Sequence, residues 1–338
     1  MLLRFRSAPA LVILIIGVVY ALTVCRTVGP GDSGELTVAL STWGVAHAPG
    51  YPLFALLGNV VRHLLPLGEP ALVLNLLNAL LAALACAALA RAIEVATGHA
   101  WAGVVGGLAL GTSRVFWLHA LSLEVFSLNA LFAALLLLLL CELLVRTSEP
   151  EKAMWILPAA ALVMSTAITH HLTLSLLAGP VLLAFATQVP RLRRNSGSPG
   201  RAILLVALAS IVGLLPLLYI PIAAHFEPPI SWGDARNFHR FLDLLLRRDF
   251  GSGGLMSPGL VIAQVLENGE SASPLGQRNF MYFWRDLPIS FGWGFPILTL
   301  LGVLWCAQRR RPLLVLVLAF LGALAFFFSP ASRRPRSP

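Results

Sequence analysis

The segment APALVILIIGVVYALTV at residues 8–24 is followed at residues 31–54 by GDSGELTVALSTWGVAHAPGYPLF, and together these two stretches decide the fold. The first is an apolar run of roughly 17 residues, enough for one membrane-spanning helix and longer than the ~7–15 residues of a cleavable signal-peptide core. We therefore expect a retained first helix. The second stretch places Asp32, Glu35 and His47 directly after it, and ionisable side chains beside lipid predict a functional site.

The composition agrees with a membrane setting. The chain has 338 residues, 58% of them hydrophobic and only 12% charged, with a mean hydropathy of +0.83. These values exclude an ordinary soluble domain and predict an all-α polytopic membrane protein. The net charge of +9 comes from arginines in the breaks between apolar runs, so no nucleic-acid partner is expected. Four cysteines without paired spacing suggest neither a zinc site nor a disulfide framework.

About nine candidate spans follow from the apolar runs, and their loops alternate in charge. The spans are predicted at residues 8–25, 71–92, 100–118, 124–145, 153–169, 172–189, 202–222, 287–306 and 312–328. Arg4, Arg6 and the later arginine-rich breaks are expected inside. The candidate polar groups then all lie on the outer side, which predicts one outward-facing site in a multi-pass protein, placed in a bacterial inner membrane with the site on the periplasmic side.

Residues 1–330 are expected to form one transmembrane domain with a first outer loop at 26–70 and a long outer loop at 223–286. In the first loop, residues 33–43 and 51–65 predict short interfacial helices joined by a rigid proline-glycine turn. A third such helix is predicted at 237–248. Residues 331–338 are expected to be a disordered tail left by a truncation.

Four motifs in order carry a family resemblance. They are Asp-Ser-Gly-Glu at 32–35 with His-x-Pro-Gly-Tyr-Pro at 47–52, Glu-Val-Phe-Ser-Leu-Asn at 124–129, Thr-His-His at 169–171 and Ile-Ser-Trp-Gly-Asp at 230–234. Over roughly residues 10–300 the chain resembles the GT-C membrane glycosyltransferases, specifically the protein O-mannosyltransferase-like family. The resemblance implies a GT-C-like bundle and a hexosyltransferase that moves a sugar, with mannose the candidate, from a polyprenyl-phosphate donor to a protein, glycan or lipid acceptor on the non-cytoplasmic face.

Asp32 matches the position of the general base in this family. A carboxylate within hydrogen-bond reach of an acceptor hydroxyl can take its proton as the oxygen attacks the anomeric carbon, and a one-step displacement inverts that centre. The residues expected to bind substrate are Glu35, His47, Tyr51, Glu124, Asn129, His170, His171, Trp232 and Asp234. Candidate partners of the lipid phosphate are His47, His170, His171, Arg236, Arg247 and Arg248. No cofactor or metal ligand is assigned, although a divalent cation bridging Asp32, Glu35 and a histidine stays open.

Other interpretations are kept beside this one. Asp32 and Glu35 also fit a helix cap and its capping-box partner, and Trp232 fits a membrane-interface anchor. At the level of the whole chain, the alternatives are a transporter or flippase of a lipid-linked or small polar substrate and a non-catalytic relative of the glycosyltransferases. The position of the ionisable groups at span ends, rather than at the membrane midplane, favours the enzyme.

Overall fold

The computed structural model describes residues 7–145, 150–179, 199–248 and 295–309, together with the isolated positions 181, 182, 186, 314 and 318. Its helices are α1 (Ser7–Thr23), α2 (Ser33–Ala39), α3 (Pro52–Leu64), α4 (Pro70–Thr97), α5 (Ala100–Gly111), α6 (Arg114–Leu121), α7 (Phe126–Val145), α8 (Pro150–His170), α9 (Pro199–Leu214), α10 (Tyr219–His225), α11 (Phe238–Leu245) and α12 (Phe295–Arg309). Short 3₁₀ helices cover Leu172–Leu177, Leu215–Leu218 and Trp232–Asp234. The predicted all-α class is confirmed for the part of the chain that the structure describes.

Local sequence explains where several helices start and stop. Helices α3 and α4 begin at Pro52 and Pro70, because proline lacks an N–H and its fixed φ suits the first helical turn. Helix α4 ends at Gly98, which takes a left-handed conformation at φ +80° and donates its backbone N–H to the carbonyl of Glu94.

Helix α4 lies at the centre of the bundle. It packs against α1, α5 and α7, while α8 packs against α7 and α9. Helix α5 approaches α4 closely because its inward face carries Gly103, Gly107 and Gly111 at intervals of four residues. A Cβ built on Gly107 would lie 2.9 Å from the carbonyl oxygen of Cys86.

Substitution of Gly107 by leucine is expected to destabilise the bundle. Overpacking of a tight contact costs ~1–3 kcal/mol, more than the ~1 kcal/mol gained by replacing a helical glycine. Thermal unfolding in detergent should therefore begin at a lower temperature. Gly17→Leu is the matched control, because nothing lies within 4 Å of a Cβ built there. Equal melting temperatures for the two variants would contradict the close packing of α4 and α5.

Three helical segments are long and apolar enough to cross a membrane: Pro70–Thr97, Phe126–Val145 and Gly200–His225. Ala100–Gly111 and Arg114–Leu121, bent by 66°, together make a fourth if they count as one span. Ala8–Thr23 and Trp155–His170 are shorter apolar helices. The chain is thus a membrane protein with three to four candidate spans among its described residues, and the predicted nine spans are not confirmed. Of the candidate at 172–189, residues 172–179 are described, and Leu172–Leu177 form a 3₁₀ helix. The candidate at 312–328 lies largely, and the tail at 331–338 wholly, outside the described residues.

The three short helices expected in the outer loops form close to their predicted positions. Helices α2, α3 and α11 correspond to the predictions at 33–43, 51–65 and 237–248. The turn that leads into α3 contains Gly50 at φ +89° and a cis Ala48–Pro49 peptide bond. This turn brings α3 back against α2, so that the polar residues of the first loop face one another.

Candidate active site

A backbone clamp joins the first loop to the loop before α11. The backbone N–H of Val45 donates to the carbonyl of Ile230 at 2.9 Å, and the N–H of Trp232 donates to the carbonyl of Val45 at 3.1 Å. The Tyr219 hydroxyl donates to the neighbouring carbonyl of Gly44 at 2.9 Å. These contacts bring the Trp232 ring to 6.3 Å, between ring centroids, from the ring of His47.

Asp32 stands at the N-cap position of α2, but its carboxylate makes no capping hydrogen bond. Its side chain is 59% exposed, and one carboxylate oxygen lies 3.7 Å from Nε2 of His47. Asp32 therefore does not cap α2 with its side chain. Instead, the carboxylate is open to a ligand and to water.

Glu35 and His47 form a tightly bonded pair. One Glu35 oxygen accepts the backbone N–H of His47 at 2.7 Å, and the other accepts from Nδ1 of its ring at 3.0 Å. Burial alone raises the pKa of Glu35, but the hydrogen bonds and charge of His47 outweigh it and lower the pKa. Burial likewise lowers the pKa of His47, yet the bond to Glu35 and the charges of Glu35 and Asp32 raise it above its usual value. The pair therefore favours an imidazolium whose Nε2 points toward Asp32.

Tyr51 forms an aromatic wall beside this pair. Its hydroxyl lies 3.2 Å from Nε2 of His47, and its ring stacks on that of His171 at a centroid distance of 6.0 Å. Burial raises the pKa of Tyr51 to about 12, so the hydroxyl keeps its proton at neutral pH. Tyr51 thus offers a hydrogen-bonding group and an aromatic face to the same cleft.

Glu124 approaches Asp32 from the loop between α6 and α7. Its side chain is buried, and one of its oxygens would lie 2.8 Å from a Cβ built on Gly31. Burial and the charge of Asp32 raise the pKa of Glu124 to about 6, whereas the backbone N–H of Asp32 and the charge of His47 act in the opposite direction. A second carboxylate therefore sits against the backbone that carries the first.

The two adjacent histidines have different surroundings. His170 is fully buried, and its Nε2 donates to the carbonyl of Val125 at 3.0 Å. Nδ1 of His171 accepts from the backbone and hydroxyl of Thr173. Burial and the charges of Arg247 and His47 lower the pKa of His171 to about 4, which keeps it neutral. Only His171 combines partial exposure with a position beside Tyr51.

Arg247 supplies positive charge to the cleft. Its charge acts on His47, Tyr51 and His171. The other two candidate arginines are instead engaged by carboxylates outside the cleft: Arg236 pairs with Glu227 and Asp234, and Arg248 pairs with Asp243. Of the three arginines named as phosphate partners, Arg247 is the one whose charge acts on residues of the cleft.

The structure brings most of the predicted site residues together, and it gives two others different surroundings. Asp234 is exposed and held by Arg236 and Arg240, which follow it by two and six residues. Asn129 lies one turn into α7, and its side-chain oxygen has no hydrogen-bond partner among the described residues. The residues that do share the cleft are Asp32, Glu35, His47, Tyr51, Glu124, His170, His171 and Trp232.

Three buried asparagines hold this site, and the sequence analysis did not name them. Asn59 accepts from the backbone of Trp43 and donates to the carbonyl of Ala39. Asn75 and Asn78 on α4 bond to the loops that carry Asp32 and Glu124. For Asn75 and Asn78 a signal is visible in the sequence, because polar amides one turn apart in an otherwise apolar span are costly unless they find partners.

Metal binding receives no support from these contacts. Within the described ranges, no group of three or more His, Cys, Asp or Glu side chains is arranged to hold an ion. Glu35 is instead bonded to the ring and the backbone of His47.

Comparison with known proteins gives a family. Residues 32–192 match the family described as the N-terminal domain of protein O-mannosyl-transferase TMEM260. This part of the chain belongs to that O-mannosyltransferase-like family. The matched range begins at Asp32 and includes every residue of the cleft except Trp232 and Arg247.

Two curated TMEM260 proteins are similar to the chain. Protein O-mannosyl-transferase TMEM260 of Mus musculus is 32% identical over 239 residues, which cover 70% of this chain and 33% of the mouse protein. Its counterpart in Dictyostelium discoideum is 26% identical over 292 residues, covering 79% of this chain and 35% of that protein. The chain thus spans about a third of the length of these TMEM260 relatives. No solved structure is significantly similar to the chain.

Proposed function

We propose that the protein is a membrane glycosyltransferase that moves a mannose from a polyprenyl-phosphate donor to a protein hydroxyl, with Asp32 as general base. One observation carries this proposal: Asp32 is exposed and free of capping bonds, yet it lies among the Glu35–His47 pair, Tyr51 and Glu124. The sugar and the acceptor follow the names of the TMEM260 relatives. The cleft lies on the non-cytoplasmic face. The named relatives are eukaryotic, so the proposal is not tied to a bacterial inner membrane.

The chemistry is a single displacement. The acceptor O–H gives its proton to the Asp32 carboxylate while its oxygen attacks the anomeric carbon of the donor. The bond between that carbon and the phosphate oxygen breaks, and the polyprenyl phosphate leaves with the electron pair. Attack opposite the leaving group inverts the anomeric centre. Because Asp32 is exposed, it returns its proton to water before the next cycle.

Positive charge beside Asp32 supports a phosphate leaving group. The raised pKa of His47 favours an imidazolium, since Glu35 stabilises it against burial. Arg247 adds a guanidinium whose charge reaches His47 and His171. Cations of this kind stabilise the negative charge that grows on a departing phosphate. We assign His47 and Arg247 to that phosphate, and Tyr51 and Trp232 to the sugar.

An apolar groove supports a lipid-linked donor. It has a volume of about 940 Å³ and is lined by Trp43, Leu218, Tyr219, Ile222, Phe226 and neighbouring side chains. Tyr219 connects the groove to the first loop through its bond to Gly44, three residues before His47. Hydrocarbon in this groove would bring the phosphate of the same molecule toward the cleft.

Transfer in proteoliposomes tests the proposal. The purified chain is supplied with radiolabelled polyprenyl-phosphate mannose and a serine- and threonine-rich peptide, and the product linkage is read by NMR. We expect labelled peptide of inverted configuration from the lipid-linked donor and none from a nucleotide sugar. Donor crossing the bilayer without any labelled acceptor would support the transporter interpretation, and the absence of both activities would support the non-catalytic relative.

A further inference from the structure

A single buried amide connects the two loops that carry carboxylates in the cleft. The side-chain nitrogen of Asn75 donates to the carbonyl of Cys25 at 2.8 Å and to that of Thr27 at 3.0 Å. Its oxygen accepts the backbone N–H of Leu123 at 2.7 Å. Both the nitrogen and the oxygen of this amide therefore bond to loop backbone. The nitrogen bonds to the loop that precedes Asp32, and the oxygen bonds to the residue that precedes Glu124.

Glu124 is fixed from both sides along the chain. Asn75 holds Leu123 on one side, and His170 holds the carbonyl of Val125 on the other. Asn75 and His170 are both fully buried, so the two hydrogen bonds are shielded from water. The backbone at Glu124 thus has little freedom to move.

The Glu124 carboxylate reaches the backbone of the Asp32 loop. It lies so close to Gly31 that a Cβ there would be only 2.8 Å from its oxygen, and the neighbouring backbone N–H of Asp32 acts to lower its pKa against the effect of burial. Gly31 itself is at φ +71°, a conformation that favours glycine. The Glu124 carboxylate thus lies against the residue that directly precedes Asp32, at the start of α2.

We propose that Asn75 and Glu124 are positioning residues for Asp32: Asn75 holds the two loops together, and Glu124 holds the backbone N–H of Asp32. This inference rests on the proposed function of Asp32 as base. It gives Glu124 a different role from the substrate contact expected from the sequence, and it gives a role to Asn75, which no motif identified.

Kinetics of matched variants test the positioning role. Glu124→Gln keeps an oxygen that can accept the Asp32 N–H, so its kcat should stay within about tenfold of wild type. Glu124→Ala and Asn75→Leu should each lower kcat by about 100-fold with donor KM changed by less than about threefold, since a ~1 Å misplacement costs about that much. Asn78→Leu is the matched control. Asn78 is equally buried, one turn along α4, and bonds only to the carbonyls of His119, Ala120 and Ser122, so its kcat should fall by less than about tenfold.

A pH profile separates positioning from general structural damage. The charged groups that act on Glu124 are Asp32 and His47. Above its pKa of about 6, the Glu124 carboxylate is ionised and accepts the Asp32 N–H more strongly, so kcat of the wild type should rise with pH through about 6. That step should be missing in Glu124→Gln, and the difference between the two profiles isolates Glu124 from Asp32 and His47.

Loop position is also measured without activity. With Asp32 replaced by cysteine and the native cysteines by alanine, Asn75→Leu should change the rate of maleimide labelling at position 32 by more than about threefold, and Asn78→Leu should not. Equal labelling rates, or a Glu124→Gln variant as inactive as Asp32→Asn, would overturn the positioning role. A wild type without transfer activity would instead contradict the proposed function, and the labelling result would still stand.

Discussion

Asp32→Asn is expected to lower the rate of sugar transfer by about 10²–10⁴-fold, the usual contribution of a general base. Asparagine has nearly the same shape but cannot take the acceptor's proton. The side chain is 59% exposed and makes no capping bond, so the free energy of unfolding should change by less than about 0.5 kcal/mol. Initial rates with labelled polyprenyl-phosphate mannose in proteoliposomes measure the effect, and donor KM should stay close to the wild-type value.

Asp243→Asn is the control for this variant. Asp243 is also a carboxylate, on α11, but it pairs with Arg248 and His239. Its transfer rate should match the wild type within about twofold. An Asp32→Asn protein that kept more than a tenth of wild-type activity would remove Asp32 from the role of base.

Short-range signals in the sequence were enough to locate the helices that frame the cleft. The prediction at 51–65 rests on a proline-glycine turn followed by apolar spacing, and α3 (Pro52–Leu64) forms there. The prediction at 33–43 rests on an acidic start, and α2 (Ser33–Ala39) follows. Signals of this kind act within a few residues, so they predict a helix boundary without knowledge of the tertiary contacts.

Long-range contacts could not be predicted in the same way. The backbone clamp between Val45 and Trp232 joins residues 187 positions apart in the sequence, and no local sequence pattern predicts it. Asp234 is a second example: its motif predicted a contact with substrate, and the motif did not reveal the ion pairs that Asp234 makes with Arg236 and Arg240. The predicted number of spans is not confirmed among the described residues, where an apolar run such as 100–118 folds as two helices bent by 66°.

Donor binding should depend strongly on the Glu35–His47 pair. Glu35→Gln keeps an oxygen for the backbone N–H of His47 but loses the negative charge that faces Nδ1. Loss of a charge-assisted hydrogen bond is worth ~1.5–3 kcal/mol, so donor KM at neutral pH should rise by about 10- to 100-fold. Glu69→Gln, a substitution of an exposed glutamate outside the cleft, should leave donor KM unchanged.

The pH dependence of donor binding should show in which direction Glu35 shifts the pKa of His47. In the wild type, Glu35 and Asp32 raise the pKa of His47 against the opposing effect of burial, so the imidazolium persists to higher pH and is lost only as pH rises through that raised value. Without the Glu35 carboxylate, burial dominates and the pKa falls. Donor affinity in Glu35→Gln should therefore decline at lower pH than in the wild type, measured as donor KM between about pH 5 and 8. If the two KM profiles coincide, His47 does not carry the charge that meets the phosphate, and Arg247 becomes the remaining candidate.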